Sequence, residues 1–308
     1  MTAPVNFSAT RCAVVYNPIK VSAEFRGLVE SALSRHALAA PLWLETTEED
    51  PGRGMVAEAV AAGVDLVVGA GGDGTIRIIA DGLAGTGIPL GLVPAGTGNL
   101  LARNLDLAMD EETALEIALG GDIRTIDLIK LSVDDRPPEH FAVMAGVGVD
   151  AVIMNETDPD LKDVIGAGAY VVAAAKAVGR LPLRVTVRVD GGRPFRRQSM
   201  LCLVGNVGKL QGRIQLIADA EPDDGLLDVY VASPQRPMHW LRVVLRMITR
   251  RRQKDDRVDQ LKGKTVTISI DGEDDYQLDG DVIGKCRFLR AEIAPGALRV
   301  RVPHVERD

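Results

Sequence analysis

The sequence is poor in aromatic residues and in cysteine, and each shortage excludes a class of protein. Only 4% of the 308 residues are aromatic, so platforms on which nucleic-acid bases stack are not expected. The formal net charge of −7 argues against a general nucleic-acid binder. The three cysteines are odd in number and far apart, which matches neither a disulfide framework nor zinc-ligand spacing. We therefore predict a protein of the reducing cytoplasm that has no nucleic-acid partner.

Long apolar runs are also missing. The best candidate for a membrane span, Val164 to Gly179, is short and contains Lys176. The first residues, MTAPVNFSATR, lack the basic start and the apolar core of a signal peptide. We expect no integral membrane protein, and a peripheral place on the inner face of the cell membrane stays open. The sequence leaves open whether the chain forms a homodimer.

The first part of the chain alternates between strand and helix patterns, which predicts βαβ units and a parallel sheet. Strands are predicted at RCAVVYNP, PLWLETT, DLVVGAGG and IPLGLVPAGTGN. Helices are predicted at AEFRGLVESALSRHALA, GRGMVAEAVAAGV, GTIRIIADGLAG and TALEIALGGD. In such sheets ligands bind beyond the carboxyl ends of the strands, and two glycine-rich turns fall at that edge.

After about Asp122 the pattern changes to strands with turn signals between them, which predicts an antiparallel second domain. Its strands are predicted at IRTIDLIKLSV, EHFAVMAGVGV, LRVTVRVDGG, RRQSMLCLVGNV, LLDVYVAS and KTVTISIDG. Two helices are expected, near residues 161–178 and 238–251. The last segment, LRAEIAPGALRVRVP, either finishes this domain or returns to the first. The predicted boundaries are 1–125, with a return at about 294–308, and 126–293.

The first glycine-rich turn is GAGGDGT, which contains Gly71, Gly72, Asp73, Gly74 and Thr75. Glycines let backbone N–H groups approach a ligand closely, and the start of the next helix adds unpaired N–H groups. Together they predict a phosphate cradle. An aspartate repels phosphate unless Mg²⁺ lies between them, directly or through water. The alternative is a tight turn in which the aspartate caps the helix.

The second glycine-rich turn repeats the same composition before another helix. It contains Gly96, Thr97, Gly98 and Asn99. Arg103 lies about one helical turn beyond, where it either faces the same anion or is a solvated helix residue. Two such turns on adjacent strands predict a single phosphate-binding crevice.

GGDGT followed by VPAGTGNLLARNL resembles the diacylglycerol kinase catalytic family, which includes bacterial lipid kinases and the sphingosine and ceramide kinases. Further motifs follow in the family's order: YNP, TIDL, VMAGVGVDA, the stretch from GNVG to DDGLLDV, YQLDGD and AEIAPGALRVRVP. The resemblance implies an α/β nucleotide-binding domain similar to NAD kinase and phosphofructokinase, then an antiparallel β-sandwich, with the active site between them.

The resemblance also implies residue roles. Asn17 and a threonine, Thr46 or Thr47, would contact ATP, and we favour Thr47. Asp73 and Asp127 would organise Mg²⁺ and water.

Phosphoryl transfer to a hydroxyl needs a group that accepts the proton, and two Asp-Gly pairs compete for this role. Asp271-Gly272 sits in an acidic cluster that we interpret as a solvated hairpin turn. Asp279-Gly280 follows an alternating strand and stands at the family's distance from the closing segment. We predict Asp279 as the general base, supported by Asp281, with a plain turn as the alternative.

The turn EPDDGLLDV contains Asp223, Asp224 and the carbonyl of Leu226, which together suit a hard cation. In bacterial relatives this region binds a structural Mg²⁺, whereas the residues alone favour a simple polar turn.

Two departures from the family pattern affect the substrate. Leu100 stands where bacterial diacylglycerol kinases usually have an aspartate, and Arg77 and Ile78 lie where an acidic residue is usual.

We therefore expect an ATP- and Mg²⁺-dependent kinase that converts diacylglycerol to phosphatidic acid. Three alternatives are kept: another lipid acceptor (a sphingoid base, ceramide or polar glycerolipid), a soluble-substrate kinase like NAD kinase, and a nucleotide-binding regulator. Met238 to Lys254 combines an apolar face with arginines, which suits an anionic membrane surface or, equally, packing on the second domain.

Overall fold

The computed structural model describes residues 10–148, 181–209, 216–217, 220–233 and 258–304. The chain divides into two units. Unit 1 comprises Met1–Thr125 and Leu298–Asp308, and unit 2 comprises Ile126–Ala297. Two helices were expected near 161–178 and 238–251, and both lie outside the described residues. The same holds for the segment 238–254, which was predicted to suit a membrane surface.

Unit 1 is a parallel sheet with helices on both faces, as its alternating pattern predicted. Its four complete strands pair in the order β4-β3-β1-β2. These strands are β1 (Cys12–Tyr16), β2 (Leu42–Glu45), β3 (Leu66–Gly71) and β4 (Leu90–Pro94). The helices are α1 (Phe25–Arg35), α2 (Arg53–Ala61), α3 (Asp73–Leu83), α4 (Leu100–Asn104) and α5 (Glu111–Gly120).

The strands of unit 1 are buried on both sides because alternate residues face different helices. Val14 and Val68 belong to a core cluster with residues of α1 and α5. Gly69 faces the opposite side, where a Cβ would lie 2.9 Å from the Ile79 side chain of α3. The register aligns Tyr16 with Ala70 and Gly71 with Pro94, so three strands end at one edge. The loops that follow these strands therefore start side by side.

Unit 2 is built of antiparallel strands, in agreement with the β-rich expectation. Its main path is β12-β11-β10-β7-β13-β14, while β8 pairs with β13 and β9, and β5 pairs with β6 and β14. The strands are β5 (Asp122–Val133), β6 (Glu139–Phe141), β7 (Met144–Gly148), β8 (Leu183–Val189), β9 (Phe195–Ser199), β10 (Leu201–Gly205), β11 (Leu227–Ala232), β12 (Val258–Gly263), β13 (Thr265–Leu278) and β14 (Asp281–Val302). β12 was not predicted.

The closing segment is divided between the two units. β14 is continuous from Asp281 to Val302, and its residues up to 297 belong to unit 2. Beyond that point it belongs to unit 1, where Val300 pairs in parallel with Leu90. One strand thus finishes the second unit and adds to the sheet of the first.

The prediction that Asp271-Gly272 forms a hairpin turn was wrong. Both residues lie inside β13, in an irregular stretch where residues 270–273 face only residue 287 of β14. The hairpin turn is instead Asp279-Gly280, flanked by the pair Leu278 and Asp281. Both turn residues have positive φ, 47° and 97°, as a two-residue Asp-Gly turn requires. An acidic bulge and a turn share the same composition, which misled the interpretation.

Among the described residues, no helix is long and apolar enough to cross a membrane.

Two glycines of unit 1 allow a matched test of the packing. A Cβ on Gly91 of β4 would lie 2.6 Å from the Cβ of Ala118 in α5, whereas one on Gly27 of α1 meets nothing within 4 Å. We expect Gly91→Ala to lower the free energy of unfolding by about 1–3 kcal/mol through overpacking. Gly27→Ala should raise it by about 0.5–1 kcal/mol, because alanine favours the helix. Denaturant unfolding measures both, and equal effects would contradict the packing described here.

Candidate active site

The two glycine loops of unit 1 touch each other. The Ala95 N–H donates to the Gly71 carbonyl over 2.9 Å. A Cβ on Gly96 would lie only 2.6 Å from the Cα of Gly72, so a side chain there would force the loops apart. Glycine is therefore required at position 96 by the close approach of two backbones. The structure thus brings together the two turns that the sequence marked as one phosphate-binding crevice.

Asp73, at the start of α3, fastens the second loop to the first. Its Oδ2 accepts the N–H of Asn99 over 2.8 Å, and its Oδ1 accepts the N–H of Leu100 over 2.6 Å. These N–H groups open α4, where intrahelical acceptors are missing. The helix α3 itself begins at Asp73, and its N-cap residue, Gly72, has no side chain that could cap it. Asp73 therefore supplies acceptors to the start of the neighbouring helix α4.

Asn99 shapes its own loop. Its Oδ1 accepts the Gly96 N–H over 2.9 Å, and its Nδ2 donates to the Gly96 carbonyl over 2.8 Å. Its φ of 49° is left-handed, a conformation that asparagine tolerates better than most residues. The Nε of Arg103 donates to the Gly98 carbonyl over 2.8 Å. Arg103 is therefore part-buried against the loop, rather than fully solvated.

The other residues expected at the nucleotide differ in exposure. Thr97 is exposed at the loop tip, and Gly98 packs against the Asp73 carboxylate. Gly74 follows Asp73 in the first turn of α3. Thr75 is buried beside Gly71.

Asn17 and the two threonines follow β1 and β2 at the same edge of the sheet. The Asn17 N–H donates to the Ala70 carbonyl, and its Oδ1 accepts the Ile19 N–H over 3.1 Å. Thr46 is buried and its N–H donates to the Tyr16 carbonyl. Thr47 is exposed, and its Oγ1 accepts the N–H of Asp50. In the sheet order, Asn17 follows the strand next to β3, whereas the threonines follow β2, one strand further away. The choice of Thr47 stays a prediction.

In unit 2, the Asp127 carboxylate joins the turn before β11 to strand β14. It is 3% exposed, and its Oδ2 and Oδ1 accept the N–H groups of Gly225 and Gly296, each over 2.7 Å. Its own N–H donates to the Pro222 carbonyl. Two charge-assisted bonds fix the orientation of this carboxylate. Its expected part in a metal and water network stays a prediction.

Asp279, the expected general base, is 3% exposed although it occupies a hairpin turn. Its Oδ1 accepts the N–H groups of Met144 over 2.9 Å and Val143 over 3.1 Å, and its Oδ2 lies 3.4 Å from the Ala142 nitrogen. The Asp279 N–H donates in return to the Met144 carbonyl. The turn therefore carries a carboxylate of defined direction, unlike a solvated turn. Asp281 follows at the start of β14.

The acidic turn expected to bind Mg²⁺ already contains a cation of the chain. The Lys262 ammonium lies 2.7 Å from Asp224 Oδ2 and 3.5 Å from Asp228 Oδ2, and Asp224 Oδ1 accepts the Leu226 N–H. Asp223 is exposed. No group of three or more acidic, histidine or cysteine side chains in the described ranges suits a metal. The turn does not fit a second cation at Asp224, and the Mg²⁺ site there stays a prediction without support from these contacts.

Lys262 was not among the predicted site residues, because the sequence pattern does not indicate β12 as a strand. The residue stands directly opposite Asp228 in the β11–β12 pair. Burial lowers the pKa of Lys262, but hydrogen bonds and charge attraction from Asp224 and Asp228 outweigh it and leave the pKa raised. The ammonium is therefore charged at neutral pH.

The cysteines offer no nucleophile. Burial raises the pKa of Cys12, Cys202 and Cys286 to about 12, so each is a neutral thiol at physiological pH.

Comparison with known proteins identifies the families of both parts of the chain. Residues 11–131 match the diacylglycerol kinase catalytic domain, and residues 143–302 match the YegS C-terminal NAD kinase beta sandwich-like domain. A diacylglycerol kinase of Mycobacterium tuberculosis is 33% identical over 82% of this chain and 81% of its own length. A protein of Pseudomonas fluorescens named "Probable lipid kinase YegS-like" is 30% identical over 94% of each chain.

Solved structures share the fold. A crystal structure of a diacylglycerol kinase from Bacillus anthracis superposes with a TM-score of 0.71 at 20% sequence identity, over 96% of this chain and 97% of that one. The chain has an α/β first domain and a β-sandwich-like second domain. It belongs to the diacylglycerol kinase family of lipid kinases, and membership in a kinase family implies the use of ATP.

Lys262 provides a test of the acidic turn. Lys262→Met leaves Asp224 and the buried Asp228 without their cation and should lower the free energy of unfolding by about 1–3 kcal/mol. Because the pKa of Lys262 is raised, its stabilisation is present at neutral pH and is lost only as the pH rises through that raised value. Thermal unfolding measures the effect.

Lys264→Met, which removes an exposed lysine two residues away, is the matched control and should be close to neutral. EDTA should leave the melting temperature of the wild type unchanged. A large fall in the melting temperature in EDTA, reversed by Mg²⁺, would instead support the predicted Mg²⁺ site at this turn.

Proposed function

We propose that this protein transfers the γ-phosphoryl group of ATP to the free hydroxyl of diacylglycerol at a membrane surface, giving phosphatidic acid and ADP. The observation that carries the proposal is the joined pair of glycine loops in a chain of the lipid kinase family. A loop pair held this closely presents backbone N–H groups at the start of α3, where a phosphate is favoured.

In this proposal the unit 1 residues at the sheet edge hold the nucleotide. The loops that contain glycines 71, 72, 74, 96 and 98 would surround the phosphates, and Asn17, Thr47, Thr97 and Asn99 would supply polar groups around them. Asp73 is the carboxylate beside both loops, and a carboxylate oxygen is the ligand that Mg²⁺ prefers. Mg²⁺ bound with the nucleotide would neutralise phosphate charge there.

Asp279 accepts the proton of the lipid hydroxyl. The hydroxyl oxygen forms a bond to the γ-phosphorus, the bond to the ADP oxygen breaks, and the proton passes to the carboxylate. Most of the rate gain in such transfers comes from positioning and charge stabilisation. The support for Asp279 is its fixed direction, since backbone N–H groups hold one of its oxygens from two sides.

Diacylglycerol is the acceptor that we favour because the Mycobacterium tuberculosis relative carries that name. The other relative is named only as a lipid kinase, and Leu100 keeps a different lipid acceptor as the second candidate. In the structure Leu100 is a buried residue whose N–H, rather than its side chain, meets Asp73. A labelled lipid other than phosphatidic acid would support that candidate.

The base is tested with two Asp-Gly pairs of the same chain. Asp279→Asn keeps the shape of the side chain, a hydrogen-bond acceptor and the left-handed backbone, but it removes the base that accepts the proton. Turnover should therefore fall by at least about 100-fold. Asp271→Asn, in the exposed bulge of β13, should retain wild-type turnover. The measurement is transfer of radiolabelled phosphate from ATP, with Mg²⁺, into mixed micelles that contain diacylglycerol.

Equal turnover in Asp279→Asn and the wild type would refute the assignment of the base. If the wild type labels no lipid while it binds ATP, the regulator is favoured instead. Asparagine is preferred to alanine at 279 because alanine would leave the N–H groups of Val143 and Met144 without an acceptor.

Gly96→Ala tests the loop pair. A methyl group at this position meets the backbone of Gly72, which cannot rotate away, so the loops must separate. We expect the KM for ATP to rise about tenfold, which corresponds to about 1.4 kcal/mol of binding free energy. Gly27→Ala, far along the chain in open space, is the control. An unchanged KM for ATP in Gly96→Ala would contradict a role of the paired loops in nucleotide binding.

A further inference from the structure

Asn206 lies between Asp127 and Asp279, the two aspartates of unit 2 that were predicted to take part in catalysis, and hydrogen bonds connect it to the surroundings of both. It follows β10 and is 1% exposed. Its Nδ2 donates to the carbonyl of Asp127 over 2.8 Å and approaches the carbonyl of Ala142 at 3.4 Å. Its backbone N–H donates to the carbonyl of Val143 over 2.9 Å.

Two peptide groups lie between Asn206 and Asp279. The group that joins Ala142 to Val143 has its carbonyl beside Asn206 Nδ2 and its N–H on Asp279 Oδ1. The group that joins Val143 to Met144 has its carbonyl on the Asn206 N–H and its N–H on the same Asp279 oxygen. Each peptide group is therefore bonded at both ends, to Asn206 on one side and to the carboxylate on the other.

The chemistry of the neighbours fixes the orientation of the Asn206 amide. Both neighbours of Nδ2 are carbonyl oxygens, which can only accept, so the donor end must face them. Oδ1 is buried and has no hydrogen-bond partner among the residues that the structure describes. A buried acceptor without a partner is unfavourable. The side chain is therefore oriented by the hydrogen bonds that its Nδ2 donates, and these bonds face the segment that holds Asp279.

We propose that Asn206 is a positioning residue for the reaction: by holding the carbonyl ends of the two peptide groups, it directs their N–H groups at the Asp279 carboxylate and links that carboxylate to Asp127. The proposal rests on the role of Asp279 proposed above. Hydrogen bonds in a chain polarise one another, so bonds to the carbonyls strengthen the N–H donors. They also hold residues 142–144 in place, and small displacements of a catalytic group are costly to the rate.

The kinetic test compares Asn206→Ala with Ser199→Ala. Ser199 is a buried polar residue of the same unit whose Oγ lies 2.7 and 2.8 Å from the carbonyls of Leu201 and Ala232, so its loss is a matched structural change. Asn206→Ala should lower kcat about tenfold and leave the KM for ATP within about twofold. Ser199→Ala should leave kcat and the KM for ATP within about twofold of the wild type, although it should lower the melting temperature about as much as Asn206→Ala does. If Asn206→Ala does not fold, Asn206→Ser should show the same split.

Hydrogen–deuterium exchange gives a second readout that does not require activity. Without the bonds from Asn206, the N–H groups of Val143 and Met144 should exchange about tenfold faster in the peptide that covers residues 142–144, whereas Ser199→Ala should leave them unchanged. Faster exchange together with the kcat loss supports the proposal. Unchanged exchange, or a kcat loss equal to that of Ser199→Ala, overturns it. A wild type that labels no lipid defeats the proposed function instead, and exchange still decides whether Asn206 holds Asp279.

Discussion

Backbone N–H groups at loops and helix starts need acceptors, and in this chain three aspartate carboxylates supply them. Asp73 accepts from the N–H groups that open α4, and Asp127 from those of Gly225 and Gly296. Asp279 accepts from the segment before β7. A buried N–H without a partner costs about 1–3 kcal/mol, so these bonds hold the loops in one conformation. The three aspartates that are expected to act in the reaction therefore also fix the backbone around them through hydrogen bonds.

This double role affects how a loss of activity in a variant is interpreted. An alanine at Asp73 or Asp279 removes a charge and also leaves two backbone donors unpaired, so lost turnover alone would not separate chemistry from structure. Isosteric changes and matched controls separate them, because they keep the volume and much of the hydrogen bonding. The hydrogen bonds of Asn206 extend the argument to a residue that lies one peptide group away from the carboxylate.

In the acidic turn before β11, carboxylates are stabilised by a lysine side chain rather than by backbone N–H groups alone. Asp228 is buried and Asp224 is close to it, and two adjacent carboxylates need a positive charge. Lys262, directly opposite Asp228 on β12, supplies it from within the chain. The same acidic turn provides the Gly225 N–H, which donates to Asp127. A covalently tethered ammonium thus stabilises a turn for which the resemblance implied a divalent metal.

The sequence by itself determined the parallel α/β domain, the β-rich domain and the family, because periodicity and ordered motifs are local patterns. It also identified both glycine loops. Only the tertiary structure decided which Asp-Gly pair turns the chain, since Asp271-Gly272 and Asp279-Gly280 have the same local signal and differ in strand register. The hydrogen-bond and ion-pair partners of Asp73, Lys262 and Asn206 could not be predicted from the sequence, for the same physical reason. Each bond joins residues that are distant along the chain, and strand pairing and packing bring them together.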